Sequence, residues 1–242
     1  MATTAHLPFL DGRAHLTIGI NTADLANLGA EVRILEDARA EVIHIDVMDG
    51  VFCPQTTVGP PFIKAIRTPL LKDAHLMIVE PLEKVADYVA AGADIITIQV
   101  ESTRHPHRVL QVLGKAENAN DPGRGIVRGV ALNPGTPVAA LEPLLDELEY
   151  VVILAVNPGW GGQKFIESTE RRLAEAKELI RRSGRPIMLG ADGGVTKENI
   201  ARVAAMGPNL IVTGSAVFDG KTPAENARYM LDQVRSIAGP AT

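Results

Sequence analysis

Short apolar runs alternate with longer amphipathic stretches along almost the whole chain. The runs are rich in β-branched residues, and several of them end in a polar residue or a glycine. This pattern is typical of strands that are buried on both faces and then turn. We interpret eight runs as strands, at residues 15–20, 42–47, 73–78, 95–100, 126–132, 150–156, 186–191 and 210–213.

The stretches between the runs carry helix start and stop signals. Residues 24–39 open with an acidic residue and repeat apolar residues at helical spacing, and residues 167–182 are amphipathic and end before Gly184. Residues 117–125 (ENANDPGRG) have the composition of a surface loop. The predicted helices span residues 24–39, 81–91, 167–182, 196–205 and 223–237.

The alternation predicts the fold. Strand–helix repeats require parallel strands joined by right-handed crossovers. Eight strands allow the sheet to close, whereas a doubly wound open sheet more often has about five to seven. The length of 242 residues fits one such barrel, which typically needs about 250. We therefore predict an α/β protein, a (β/α)8 TIM barrel in a single domain over residues 1–242, with residues 1–14 as an N-terminal tail.

Composition narrows the classes of partner. The net charge of −5 argues against nucleic acid, although backbone N–H groups can still hold a phosphate. No apolar run approaches the length of about 18 residues that a membrane span needs, and the first sixteen residues lack the apolar segment of a secretion signal. Cys53 is the only cysteine, which excludes a disulfide within the chain. We expect a cytoplasmic protein that binds neither nucleic acid nor membranes.

Polar residues lie near the strand ends, where barrel enzymes place their reactive groups. His44 and Asp46 share one face of a strand, and His75 lies on the next strand. With Asp192 after the seventh strand, they form a set of two imidazoles and two carboxylates that suits one divalent ion, Zn²⁺, Fe²⁺, Mn²⁺ or Co²⁺. Considered singly, such a histidine is more often a hydrogen-bonded core residue, and such an aspartate often caps a helix. Their joint placement favours a metal site.

Glycine-rich loops follow the last three strands. They comprise residues 157–163 (NPGWGGQ), residues 192–194 (DGG), and Gly214 with Ser215. Glycines let the backbone approach an anion closely, and many barrels bind phosphate with the loops after the seventh and eighth strands. The same glycines could serve only to make tight turns, but three successive loops favour a phosphate cradle.

Several motifs together resemble one known family. They are HIDVMDG (44–50), DAHLMI (73–78), VALNPGTP (130–137), VNPGWGGQKF (156–165), DGGV (192–195) and GSAVF (214–218). In order and spacing the chain resembles the ribulose-phosphate 3-epimerases from about residue 20 to about residue 218. The resemblance implies an isomerase of the pentose phosphate pathway that interconverts D-ribulose 5-phosphate and D-xylulose 5-phosphate. It also implies a single divalent metal ion, and we expect a homo-oligomer because the outer helix faces of barrels often pair.

The resemblance also implies roles for particular residues. His44, Asp46, His75 and Asp192 would hold the metal, and Asp46 and Asp192 would be the two acid/base carboxylates that act through an enediolate. The residues expected to contact the substrate or its phosphate are His75, Met48, Met77, Gly159, Trp160, Gly161, Gly162, Gly193, Gly194, Gly214 and Ser215.

Five positions depart from the family pattern. They are Gly19 (usually Ser), Gln55 (usually Asn), Gln99 (usually His), Leu154 (usually Met) and Gly190 (usually Glu). Several of them, including Gly19, Gln99, Leu154 and Gly190, are expected near the substrate, where a changed polar group alters which hydroxyl pattern is accepted. The substrate could therefore be another ketose phosphate, such as a tetrulose or hexulose phosphate.

Other functions are open on a similar barrel. A decarboxylase of the orotidine-phosphate type would need a lysine between its strand-end acids, where this chain has Val47, and a Schiff-base aldolase would need a strand-end lysine, which none of the predicted strands carries. A sugar-phosphate sensor without catalysis is the non-enzymatic alternative. It is disfavoured because both expected acid/base residues are present.

Overall fold

Eight parallel strands form a closed barrel in chain order, in a computed structural model that describes residues 9–237. Each strand pairs with the next one, and the last pairs with the first. The predicted TIM barrel is thus confirmed. The strands are β1 (His15–Gly19), β2 (Val42–Met48), β3 (Leu71–Met77), β4 (Ile95–Gln99), β5 (Val127–Leu132), β6 (Tyr150–Leu154), β7 (Met188–Asp192) and β8 (Leu210–Thr213).

Helices surround the barrel and differ in detail from the prediction. Among residues 9–237, no helix has both the length and the apolar character needed to cross a membrane. A 3-10 helix, Val138–Leu144, takes the place of an α-helix between β5 and β6. The α-helices are α1 (Leu28–Asp37), α2 (Pro60–Ala65), α3 (Val85–Ala90), α4 (Pro106–Leu113), α5 (Thr169–Ser183), α6 (Ile200–Ala205) and α7 (Pro223–Arg235).

Three predicted helix starts are wrong. The helix predicted from residue 81 begins with a 3-10 turn, Pro81–Glu83, and α3 starts at Val85. The other two starts are wrong for local reasons. Leu25–Asn27 form a separate 3-10 turn that is capped by Asp24, whose side chain accepts a hydrogen bond from the Ala26 N–H, and α1 begins only at Leu28. The start of α6 is displaced from Thr196 to Ile200, because Asn199 accepts a hydrogen bond from the Thr196 N–H and donates one to the Gly194 carbonyl. In both places a polar side chain satisfies backbone groups that a helix would otherwise use.

The inside of the barrel changes character along its axis. At the N-terminal end of the strands it is filled by apolar side chains, which include Val42, Ile95, Tyr150 and Leu210. Phe9 belongs to the same cluster and is 3% exposed, so the last part of the predicted tail packs against the base of the barrel, while residues 1–8 lie outside the described residues. Higher up, the inward-facing residues become polar, and the chemistry lies there. These polar residues are Thr17, His44, Asp73, His75, Thr97 and Gln99.

Candidate active site

The four predicted metal ligands meet inside the C-terminal mouth of the barrel. His44 and Asp46 lie on β2, His75 on β3, and Asp192 is the last residue of β7. One nitrogen or oxygen atom from each side chain lies within 4.8 Å of those of the other three. The pairing of β2 with β3 places Asp46 beside His75, and closure of the barrel brings Asp192 to the same point.

The spacing of these atoms fits a small cation. His44 Nε2 lies 3.2 Å from Asp46 Oδ1 and 3.8 Å from Asp192 Oδ2. His75 Nδ1 lies 3.5 Å from Asp46 Oδ1 and 3.3 Å from Asp192 Oδ2. Ligands of a tetrahedral ion at about 2.1 Å are about 3.4 Å apart. The donor set and its spacing therefore match one divalent ion.

A fifth side chain stands behind this cluster. Asp73 Oδ2 lies 2.8 Å from His44 Nδ1, and both side chains are almost completely buried. A carboxylate that accepts the Nδ1 proton of a histidine fixes the ring orientation and leaves Nε2 free to bind a metal. The sequence analysis did not single out Asp73. It could have been found from its position two residues before His75, which puts it on the inward face of the same strand.

The carboxylates of the cluster create a negative potential that favours bound positive charge. Although burial opposes protonation, the Asp192 and Asp46 carboxylates raise the pKa of His75 to about 9. Burial likewise opposes protonation of His44, but Asp73 and Asp46 raise its pKa well above the usual value. Burial also opposes ionisation of Asp46, yet the two imidazoles hold its pKa below the usual range. Three buried or half-buried carboxylates thus draw protons onto the histidines, and a divalent cation would satisfy the same charge.

A cavity of about 880 Å³ opens above the cluster. Asp46 and Asp192 reach its surface, while His44 and His75 are 1% exposed and lie beneath it. His75, which we also expected to contact substrate, does not line this cavity. The other predicted substrate residues all do: Met48, Met77, Gly159, Trp160, Gly161, Gly162, Gly193, Gly194, Gly214 and Ser215.

Two adjacent glycines in the cavity wall are required by close packing between loops. Gly193 and Gly194 have φ of +101° and +67°, and a Cβ on Gly193 would lie 2.3 Å from the Val156 side chain. A Cβ on Gly194 would lie 2.6 Å from the Phe165 backbone nitrogen. The loop after β7 therefore packs tightly against the loop after β6, which brings main-chain groups to the cavity.

Only some of the positions that depart from the family pattern reach the cavity. Gly19, Gln55 and Leu154 line it, as expected for residues that contact substrate. Gln99 is completely buried and does not line it. Gly190 lies deeper in the barrel, where a Cβ would meet the Tyr150 hydroxyl at 2.3 Å. Our expectation that Gln99 and Gly190 contact substrate is therefore wrong, because both side-chain positions point into the packed interior.

Comparison with known proteins agrees with the motifs. The family model described as the ribulose-phosphate 3 epimerase family matches residues 15–218. The chain belongs to this family. The chloroplastic ribulose-5-phosphate-3-epimerase of Arabidopsis thaliana is 43% identical over 210 residues, covering 85% of this chain and 72% of the relative. Ribulose-phosphate 3-epimerase of Bacillus subtilis is 42% identical, covering 82% and 89%, and that of Escherichia coli K12 is 39% identical, covering 90% and 92%.

Solved structures of lower identity share the fold. The 3-hexulose-6-phosphate synthase of Salmonella typhimurium superposes with a TM-score of 0.70 at 16% identity, covering 91% of this chain and 98% of that one. KGPDC from Streptococcus mutans gives a TM-score of 0.67 at 17% identity, covering 94% and 100%. Membership of the epimerase family makes this protein an isomerase that acts on carbohydrates, as predicted. The matched region contains all four clustered side chains.

Proposed function

We propose that this epimerase interconverts D-ribulose 5-phosphate and D-xylulose 5-phosphate at C3 with the help of one divalent metal ion. The observation that carries the proposal is the convergence of His44, Asp46, His75 and Asp192 within 4.8 Å at the floor of the cavity. The family relatives are named for epimerisation of ribulose phosphate, which supports the substrate class.

The four side chains are suited to hold the ion. Two imidazole nitrogens and two carboxylate oxygens suit Zn²⁺, Fe²⁺, Mn²⁺ or Co²⁺, and the set alone does not favour one of them. When bound, such an ion would act as a Lewis acid that makes the C3 proton more acidic and stabilises the enediolate formed from the substrate. His44 is already oriented for this purpose by its contact with Asp73.

In this proposal, Asp46 and Asp192 move the proton. They lie on β2 and β7, which are separated in the barrel by β8 and β1, so they border the cavity from different sides. Their side chains are 28% and 14% exposed, so both can reach a substrate above them. One carboxylate removes the C3 proton from one face of the ketose, and the other delivers a proton to the opposite face. The configuration at C3 is thereby inverted.

The rest of the cavity binds and shields the substrate. Met48 and Met77 line it next to the carboxylates and exclude water from the reacting carbons. The glycine loops after β6, β7 and β8 bring main-chain N–H groups close to the far end, where a phosphate can accept their hydrogen bonds. Neutral donors of this kind explain how an acidic protein can bind a phosphorylated sugar.

Nuclear magnetic resonance in D₂O tests the proposal. We expect the metal-loaded protein to convert D-ribulose 5-phosphate to D-xylulose 5-phosphate with deuterium appearing at C3 of the product. The isosteric variant Asp192→Asn should lose both conversion and the coupled deuterium incorporation. Conversion by this variant at the wild-type rate would contradict the two-carboxylate assignment.

Gly19, Gln55 and Leu154 in the cavity wall favour a second candidate, a different ketose phosphate. Measurement of kcat/KM with ribulose, xylulose, erythrulose and allulose phosphates distinguishes the two. A preference of more than about tenfold for a tetrulose or hexulose phosphate, equal to about 1.4 kcal/mol of transition-state binding, would replace the pentulose assignment but leave the reaction type unchanged.

A further inference from the structure

Strand β1 ends before its neighbour β2 reaches the active site. The pairing of these strands runs from Thr17 with Val42 to Gly19 with His44. After Gly19 the chain turns into a 3-10 helix, Ile20–Thr22, whereas β2 continues to Met48. Asp46 therefore lies beyond the last residue pair between the two strands.

Beyond the end of β1, the side chain of Asn21 forms hydrogen bonds with the main chain of β2. Its Oδ1 accepts a hydrogen bond from the Asp46 N–H at 2.8 Å, and its Nδ2 donates one to the Asp46 carbonyl at 2.9 Å. A carboxamide has the same donor and acceptor groups as a peptide unit. Asn21 thus continues the ladder between β1 and β2 by one step, with a side chain in place of the main chain.

A second side chain, from a residue that follows Asp46 in the sequence, also binds the Asp46 main chain. The Thr57 hydroxyl donates to the Asp46 carbonyl at 2.6 Å and accepts from the Met48 N–H at 2.9 Å. Both main-chain polar groups of Asp46 are consequently fixed by side chains. Asn21 and Thr57 are half-buried and line the same cavity as the Asp46 carboxylate.

We propose that Asn21 is a positioning residue for the Asp46 carboxylate. By fixing the Asp46 main chain where β1 no longer supports it, Asn21 keeps the carboxylate at the point from which it exchanges a proton with the substrate. The inference rests on the proposed function, in which Asp46 is one of two acid/base groups. Displacement of a catalytic group by about 1 Å can reduce the rate about 100-fold.

The test compares Asn21→Leu with a matched substitution elsewhere in the barrel. Asn209 also accepts one main-chain hydrogen bond and donates another, away from the site and to two different residues: its Oδ1 accepts from the Leu189 N–H at 2.8 Å, and its Nδ2 donates to the Phe9 carbonyl at 3.0 Å. Both asparagines are half-buried. We expect Asn21→Leu to lower kcat by about 10- to 100-fold with KM changed by less than about threefold. Asn209→Leu should keep kcat within about twofold of wild type, while lowering Tm about as much as Asn21→Leu does.

Deuterium exchange distinguishes positioning from a general loss of structure. Each carboxylate serves one face of the substrate, so a displaced Asp46 should slow removal of the C3 proton from one epimer only. For the other epimer, exchange into recovered substrate should continue while conversion falls. We therefore expect the ratio of exchange to conversion to rise for one epimer in Asn21→Leu. The smaller variant Asn21→Ala provides the same comparison if the leucine variant does not fold.

Two results would overturn the inference. One is wild-type kcat in both Asn21 variants, and the other is an equal loss of exchange from both epimers. If the wild-type protein epimerises its substrate and these results are found, only the positioning role fails. If the wild-type metal-loaded protein exchanges no C3 proton at all, the proposed function fails, and the role of Asn21 fails with it.

Discussion

Replacement of Asp73 by asparagine tests how the carboxylate behind His44 supports metal binding. Asparagine has the same size and can still accept the His44 Nδ1 proton, so the substitution removes the charge and keeps the contact that now measures 2.8 Å. Both residues are almost completely buried, so water cannot replace the lost charge. The imidazole should therefore become a poorer donor to the metal, and its ring orientation should be less firmly fixed.

The size of the effect follows from this one contact. Mutation of a group that hydrogen-bonds to a metal-binding histidine typically weakens metal affinity by about 10- to 100-fold, and about 1.4 kcal/mol corresponds to a tenfold change. We therefore expect Asp73→Asn to weaken divalent-metal binding by about 10- to 100-fold. At a metal concentration of about 1,000 times the wild-type Kd, bound metal stabilises the wild type by about 4.1 kcal/mol, and a variant weakened 100-fold by only about 1.4 kcal/mol.

Calorimetric titration of metal-free protein with Mn²⁺ or Zn²⁺ measures this difference directly. Asp94→Asn is the matched control, because Asp94 is also a buried carboxylate but is bound to Arg124 at 2.5 Å and lies outside the cluster. The control should keep the wild-type metal affinity even if it is less stable to heat. A metal affinity of Asp73→Asn within about twofold of wild type would refute the role of this carboxylate.

Two further predictions concern packing and pH. Gly190→Ala should cost about 1–3 kcal/mol of unfolding free energy, because its Cβ would lie 2.3 Å from the Tyr150 hydroxyl. Gly29→Ala in α1 should instead stabilise the protein by about 0.4–1 kcal/mol, because within residues 9–237 its Cβ would meet no heavy atom within 4 Å. Equal Tm values for the two variants would contradict the packing argument. Burial opposes protonation of His15, but hydrogen bonds to Glu41 and Asp11 raise its pKa. The stabilisation that protonated His15 gains from these carboxylates is complete below the unfolded pKa of about 6.5 and is lost as pH rises through the folded pKa. The Tm difference between wild type and His15→Gln should therefore shrink from pH 6 to pH 9, and a constant difference would be the contrary result.

The strands and the four-residue cluster were predictable because each depends on a short-range pattern. Strands buried on both faces form continuous apolar runs, and side chains alternate along a strand, so His44 and Asp46 had to share a face. The C-terminal ends of parallel strands meet at one rim of a barrel, which brings Asp192 to the same place.

Features that depend on pairing or on where a strand stops were not predictable in this way. Asp73 faces inward like His75, but only the observed pairing of β2 with β3 shows that it reaches His44. The contacts of Asn21 exist because β1 ends at Gly19, a boundary that the apolar run does not mark. The helix α2 is six residues long and begins with two prolines, which leaves too few residues for a helical period to be recognised.

The central claim is that His44, Asp46, His75 and Asp192 hold one divalent ion without which the C3 proton is not removed. Its most direct test is epimerisation by protein from which metal has been removed by chelation, verified by elemental analysis, and then restored by titration. We predict no C3 deuterium exchange in the metal-free protein and full recovery at one divalent ion per chain. His75→Ala should show no exchange either before or after the same amount of ion is added. Full exchange and epimerisation by verified metal-free wild-type protein would contradict the claim.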